Sequence, residues 1–389
     1  MSAILQLHPD APAVRAGFSE PDRLVEQVRE LTRTKLVGQA DSIDADGAYP
    51  EAFMRELGAI GAYAPHMSPA AVNGGAPDLE TTIRAMSVVG QTCLSTAFSY
   101  WCQTALGWYV ASTDNEALRA ELLEPVADGS VLGGTGLSNP MKTFFGIEKL
   151  LLRGERVDGG WRVSGRLPWV SNLGAGHAFG IVFEDTRDAA HRVMAIVDCD
   201  SDGLAMFAND RFLALGGTRT FGLAFKDVFV PEARIAADPM EPFLPRIRAG
   251  FILLQAGMAF GMIESCIDMM LKLDKPLGHV NCHLGEQPGQ FEEELSAMKE
   301  TVFELCRTPY DDSRGYFASV IRARLMAGEV SVRAAHALML HSGARGYVTG
   351  AVAQRRLREA YFIAIVTPAT KQLRKMLADM GEPVVAVAH

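Results

Sequence analysis

The spacing of apolar positions divides the chain into three stretches. In the first, Leu24, Val25, Val28, Leu31 and Leu36 recur near a 3.6-residue period with Glu and Arg on the other face, which predicts an amphipathic helix. Further apolar helices are expected over residues 53–57, 79–89 and 97–111, and a last one over 115–123 leads into the turn residues Asp128 and Gly129. At Ser130 the pattern changes to short apolar runs separated by Gly and Asp. Residues 150–156, a turn at Asp158-Gly159-Gly160 and residues 161–164 read as a β-hairpin. Strands are expected next over 178–184, 192–198 and 221–230. In LAFKDVFV the apolar residues alternate for part of the run, as a half-buried strand requires. Helical periodicity then returns over 243–273, 290–307, 312–341 and 349–380, long enough for a four-helix bundle. Between the first two of these helices, the Gly, Pro and Asn content of segment 275–289 reads as a loop.

Helices, then strands, then helices argue for segregated α and β layers and against a doubly wound sheet. The expected organisation is a loose N-terminal arm (1–20), an N-terminal α-helical domain (21–129), a middle β domain (130–235) and a C-terminal four-helix-bundle domain (236–389). No G-x-G-x-x-G follows a predicted strand, so the dinucleotide-binding fingerprint of the Rossmann fold is absent.

Composition narrows the function classes. The 389 residues are 48% hydrophobic and 21% charged, as in an ordinary soluble protein, and the net charge of −9 with no long basic run excludes nucleic acid as the main partner. The six cysteines are scattered, mostly within apolar segments, as buried reduced thiols are. The longest apolar stretch, 249–263, is interrupted by Gln255 and followed by Glu264 and Asp268, which predicts a buried helix and no membrane span. Gly257 and Gly261 within it would admit a close neighbour. The N-terminus has no basic start before an apolar core, so a cytoplasmic location is expected. His279, Cys282 and His283 are zinc-ligand types without a fourth partner at matching spacing, and no metal is expected.

Four segments carry a resemblance. VDGGWRVSGRLPWVSN (157–172) is similar to the hairpin that ends Gly-x-Lys-x-Trp-Ile-Thr-Asn in the acyl-CoA dehydrogenase family, with Gly165, Trp169, Val170, Ser171 and Asn172 at the matching positions. FGLAFKDVFVPEARI resembles the family's Leu-x-Phe-x-Asp-Val-x-Val-Pro strand. HSGARGYVTG and RRLREAYF look like its Gly-Gly-x-Gly-Tyr turn and the helix after it. GMAFGMIESCIDMM follows its Gly-x-Ala-x-Gly pattern. The four occur in the family's order over roughly residues 21–380. The resemblance implies the acyl-CoA dehydrogenase fold, a homotetramer or homodimer, and FAD held between the β domain and the bundles.

It also implies roles for single residues. Trp169 and Ser171 would pack by the isoalloxazine ring and bond near flavin N5, and their two-residue spacing places them on one face of a predicted strand; a core Trp beside a strand-end Ser is the plain alternative. Thr135, in VLGGTGLSN, matches the Thr that opens the family's Thr-Glu-Pro-x-Ala-Gly-Ser-Asp motif and addresses the flavin pyrimidine edge, although the rest of that motif is replaced. Where the family has Arg-x-x-Phe-Gly against the FAD pyrophosphate, this chain reads Asp274-Lys275-Pro276-Leu277-Gly278. Lys275 offers a point charge without the fork of Arg. The turn from Gly343 to Gly346 suits the adenine end, because Gly permits close backbone approach.

The family's usual catalytic Glu has no counterpart. Registering the helix RRLREAYF onto the family places Thr367 at the base position, and a hydroxyl is no base near neutral pH without help. The alternative site for the Glu, on the first bundle helix, matches the apolar Phe251 and Ile252. Glu359 lies eight residues before Thr367, about 12 Å along a helix, too far to substitute. Tyr361 and His341 are the remaining proton acceptors, each with a packing role as the plain alternative. The leading expectation is an FAD-dependent oxidoreductase acting on an acyl-CoA-like thioester. The second is a reduced-flavin-dependent monooxygenase on the same fold, with FMN possible and a flavin reductase or electron-transfer protein as partner. The third is a non-catalytic flavin-binding or assembly protein.

Overall fold

A computed structural model describes residues 20–67, 77–208 and 212–383; apart from Glu20, the expected N-terminal arm lies outside these residues. Three layers of structure follow the order read from the sequence. The first comprises α1 (Glu20–Leu31), α2 (Ala40–Ala45), α3 (Glu51–Ala59), α4 (Leu79–Thr92), α5 (Leu94–Ser112) and α6 (Glu116–Ala127). Asp78 caps α4 by accepting from Thr81 N, and Asn115 caps α6 by accepting from Ala117 N and Leu118 N. Every residue of α5 is buried, which explains its lack of an amphipathic pattern: it runs through the centre of the molecule.

The middle layer is one eight-stranded sheet. Its strands are β1 (Gly133–Thr135), β2 (Leu152–Val157), β3 (Gly160–Val170), β4 (Ala178–Asp185), β5 (Arg192–Asp198), β6 (Leu204–Ala208), β7 (Phe221–Pro231) and β8 (Ile235–Ala237). The order is β6-β7-β3-β2-β4-β5-β8, with β1 parallel to the start of β4 and a short helix, α7 (Ser138–Phe144), between β1 and β2. The two-residue alternation divides β4 between two cores. Phe179, Ile181 and Phe183 join the sheet's own core with Trp161, Val163 and Phe225, while Ala178 and Val182 face the helices. Burial on both faces is why β4 reads as a continuous apolar run.

The last layer holds α8 (Leu244–Leu253), α9 (Ala256–Asn281), α10 (Pro288–Cys306), α11 (Arg314–Ser342), α12 (Val352–Ile365) and α13 (Thr370–Asp379). Three expectations are corrected here: the helix expected over 349–380 is two, α12 and α13, parted by an extended turn at residues 366–369. The helix expected over 243–273 is broken at Leu254 and Gln255, and its second half continues through Lys275-Pro276-Leu277-Gly278, so that most of the expected loop is helix. The end of α9 is held by Asn281, whose Nδ2 donates to His341 O and whose carbonyl accepts from Gln287 Nε2; that anchoring outweighs the Pro and Gly. Gly257 and Gly261 do admit a close neighbour, α4: a Cβ on Gly261 would stand 2.2 Å from Ser87 O. The long apolar run of α8 and α9 is 94% buried over its most apolar window, as core and not as a lipid face.

Candidate active site

The end of β3 is clamped from three sides. Asn172 is fully buried in a left-handed conformation (φ 64), where its backbone N–H donates to Thr218 O at 2.8 Å. Its Nδ2 donates to Gly133 O and its Oδ1 accepts from the Tyr49 hydroxyl, both at 2.6 Å. The register between β3 and β7 shifts between Leu167 and Val170. Together these features turn Trp169 outwards: the residue is 57% exposed and lines a cavity of about 1030 Å³ between the sheet, α5, α8, α12 and α13.

Hydroxyls converge on that cavity. Ser171 Oγ lies 2.6 Å from Thr220 Oγ1, which lies 2.9 Å from Thr218 Oγ1, and Thr218 donates to Leu215 O at 2.8 Å. In both hydroxyl–hydroxyl contacts either oxygen can donate, so Ser171 offers the cavity a group able to donate or accept. Thr135 Oγ1 lines the same cavity, 2.8 Å from the Tyr109 hydroxyl on α5, and accepts from Leu137 N at 3.2 Å. Burial pushes the Tyr109 phenol far above its ordinary range, so it acts as a neutral hydrogen-bonding group. The Gly-Gly of β1 brings these groups together: a Cβ on Gly133 would stand 1.8 Å from Ala178 O, and one on Gly134 2.2 Å from Ser171 O.

The turn between α12 and α13 brings Thr367 to the same cavity. Its Oγ1 is 2.8 Å from Ser138 Oγ, the first residue of α7, and both residues line the cavity. Tyr361 also lines it and is half exposed. Glu148 is the cavity's one carboxylate among the described residues, and Asn139 Nδ2 and Lys142 Nζ already donate to it, at 2.8 and 3.3 Å. Three residues singled out in the sequence stand outside the lining. Lys275 is exposed on α9, and Gly343, at φ 55, is exposed beyond α11. His341 is buried with Nε2 donating to Glu286 O at 2.9 Å, a packing role that ties α11 to the α9–α10 loop. Glu359 is also away from the cavity, paired with Arg356. Among the described residues no group of three or more His, Cys, Asp and Glu is placed to hold a metal ion.

The sequence reading missed Ser138, Tyr109 and Gln255. For Gln255 a signal was present, the lone polar residue inside the longest apolar stretch; the other two became visible only when α5, α7 and the α12–α13 turn met.

The residues present fit the ring half of a flavin. An exposed indole offers a planar apolar flank, and the hydroxyls of Ser171 and Thr135 offer partners for a polar edge. Of the cations on the cavity, Lys142, Arg358 and Arg374 are paired with Glu148, Asp44 and Glu329, whereas Lys371 is exposed and has no carboxylate partner among the described residues.

Residues 19–130 match the family model described as the acyl-CoA dehydrogenase N-terminal domain. The Bacillus subtilis (strain 168) protein named Probable acyl-CoA dehydrogenase YngJ is 24% identical over 374 residues, covering 89% of this chain and 93% of that one. Over most of its length the chain is thus similar to proteins named as acyl-CoA dehydrogenases. Within the solved structures, butyryl-CoA dehydrogenase from Megasphaera elsdenii shares the fold with a TM-score of 0.81 at 16% identity, over 95% of this chain and all of that one (100%). A nitrososynthase from Micromonospora carbonacea var. africana shares it at 0.77 and 16%, over 95% and 99%. The acyl-CoA dehydrogenase fold is thus established for the chain, with its N-terminal helical part, central sheet and C-terminal helices.

Proposed function

We propose that the protein is an FAD-dependent oxidoreductase acting on an acyl thioester of the acyl-CoA type. The observation that carries this reading is the convergence of the exposed Trp169 with Ser171 and Thr135 on one cavity that continues, past Thr367, between apolar residues of α5, α8 and α12. Bound there, the flavin supplies hydride acceptance. The chain's own contribution is to flank the ring with Trp169, to offer Ser171 and Thr135 as polar contacts, and to shut water out with Phe98, Trp101 and Phe251. Lys275 and Gly343, on the outer surface, then serve the phosphate and adenine end of a flavin held by a neighbouring copy in a homodimer or homotetramer. The exposed Val280, Leu340, Tyr347 and Val348 near them suit such a contact.

A second reading rests on a specific observation. Where the family's base stands, this cavity has the Thr367–Ser138 hydroxyl pair, and its lone carboxylate is already engaged. A reduced-flavin-dependent monooxygenase needs no such base, and the nitrososynthase shows that the fold extends beyond proteins named as dehydrogenases. One experiment separates the two. The purified protein is loaded with FAD and mixed anaerobically with a series of straight-chain acyl-CoAs, and separately with the same acyl-CoAs, a flavin reductase, NADH and air. Bleaching of the flavin by an acyl-CoA supports the first reading. An oxidised flavin throughout that series, with oxygenated product in the second mixture, replaces it by the other.

A further inference from the structure

Gln255 stands at the break between α8 and α9, 1% exposed, in the midst of the longest apolar run of the chain. A buried primary amide needs partners, and here both ends have one. Its Nε2 donates to the Thr367 carbonyl at 2.8 Å, and its Oε1 accepts from Arg324 Nε at 2.6 Å. Arg324, on α11, is 4% exposed and has no carboxylate partner among the described residues; its second donor goes to Ile363 O. Desolvation pulls its guanidinium down to about 10. A buried charge without a counter-ion is costly, so what it holds calls for an explanation.

Capping of α12 explains part of it, because Ile363 O is among that helix's orphan carbonyls and a cation suits a helix C-terminus. Capping leaves the Gln255 arm unexplained. That arm reaches past the helix end to the peptide whose side chain hydrogen-bonds Ser138 at the cavity wall. From Arg324 to Gln255, to the Thr367 carbonyl and through Thr367 Oγ1 to Ser138 Oγ, each link is a hydrogen bond or the covalent frame of Thr367.

We infer that Gln255 and Arg324 are positioning residues for the Thr367–Ser138 pair: Arg324 orients the Gln255 amide, and Gln255 fixes the Thr367 peptide so that its hydroxyl meets Ser138 in the cavity. The inference rests on reading that cavity as the catalytic one. Neither residue touches it; both act through Thr367.

Gln255→Glu separates positioning from packing. The carboxylate keeps the size of the amide and gives Arg324 a counter-ion, so a purely structural role predicts unchanged or higher thermal stability and unchanged chemistry. Positioning predicts the opposite for the chemistry, because the donor to Thr367 O is gone and an anion faces that carbonyl. The wild type, Gln255→Glu and Gln255→Leu are compared by melting temperature, by hydrogen–deuterium exchange over residues 366–370, by flavin content and visible circular dichroism, and by the rate of flavin reduction with butyryl- and octanoyl-CoA or of its reoxidation by air. Gln255→Glu is expected to retain its melting temperature and flavin while exchange over 366–370 quickens. Its flavin circular dichroism should change, and the faster of the two wild-type rates should fall roughly tenfold to a hundredfold, the scale of a misplacement of about 1 Å. Unchanged exchange in both variants overturns the inference, as does faster exchange with flavin spectrum and rates unmoved. A wild type that holds no flavin overturns the proposed function instead, and the exchange result then decides on Gln255 and Arg324 alone.

Discussion

Trp169 and Thr367 line one cavity and make opposite demands on a single side chain. Trp169 is 57% exposed, so it contributes little to folding and is free to contribute to a ligand. Trp169→Ala should therefore weaken FAD binding roughly tenfold, about 1.4 kcal/mol, the scale of one aromatic contact, with the melting temperature unchanged. Fluorescence titration of the flavin-free protein measures the first and a thermal melt the second; equal loss in both would mean the ring is structural. Thr367 is nearly buried, and its hydroxyl is engaged by Ser138. If the proposed dehydrogenation lacks only its carboxylate, Thr367→Glu should speed anaerobic flavin bleaching by an acyl-CoA by roughly a hundredfold, within the range of a well-placed general base. No gain from that substitution, in a variant that keeps its flavin, would favour the monooxygenase reading. Both positions were legible in the sequence through the family resemblance. What each side chain touches was not, because Ser138 lies 229 residues from Thr367 along the chain.

Glycines and histidines set the behaviour of whole elements. Gly133→Ala would drive a Cβ into the Ala178 carbonyl, a backbone atom that cannot give way without parting β1 from β4. The expected loss is about 3 kcal/mol, measurable by urea unfolding. Flavin retention should fall with it, because β1 carries Thr135. His66 ties the α3–α4 connection to α5. Its Nε2 lies 2.9 Å from Thr104 O and donates to it, its Nδ1 is 3.3 Å from Thr82 Oγ1, and burial pulls it down to about 4. Unfolded, the same His titrates near 6.5, so between those values the unfolded chain binds more protons and stability falls as pH drops. The contribution is fully present above pH 6.5 or so, and about 2 kcal/mol of it is lost by pH 5. Urea unfolding at pH 7 and pH 5 should show this loss in the wild type and much less of it in His66→Gln. Element by element, periodicity located the long helices and β2, β3, β4, β5 and β7. It missed β1, β6, β8 and α7, which are short and are held by partners distant in sequence; Gly133 pairs with Ala178. It ended α9 early because Lys275-Pro276 and Gly278 look like a loop when the anchoring of Asn281 by α11 and Gln287 is invisible.

At the scale of the molecule, one hydrophobic core runs through both helical layers, while the sheet keeps a second core on its outer face. The joint between the helical layers is an ion pair that the sequence placed only by exclusion, as a Glu too far from Thr367 to replace the base. Arg356 and Glu359, one turn apart on α12, are each 1% exposed and meet at 2.8 Å. They sit where α4 hands over to α5. Arg356 donates to the last carbonyls of α4, Gly90 O at 3.2 Å and Gln91 O, and to Ser265 Oγ of α9 at 3.1 Å. Glu359 accepts from Leu94 N, the first amide of α5, at 3.4 Å. A cation thus meets a helix C-terminus and an anion a helix N-terminus, the arrangement that both helix dipoles favour and that satisfies their orphan groups. Replacing the pair with apolar residues would strand those backbone groups; removing the anion alone leaves a buried guanidinium without its counter-ion. Glu359→Gln should accordingly cost about 3–5 kcal/mol. Because the helical layers share one core and the sheet has its own, the loss should fall on the helical transition. Far-UV circular dichroism at the helix band, followed in urea, should shift to lower denaturant ahead of the fluorescence of Trp161, which lies in the sheet core, read as the difference from a Trp161→Phe control. Coincident curves displaced by less than about 1 kcal/mol would show that the joint is held by apolar packing, with the ion pair a lesser part of it.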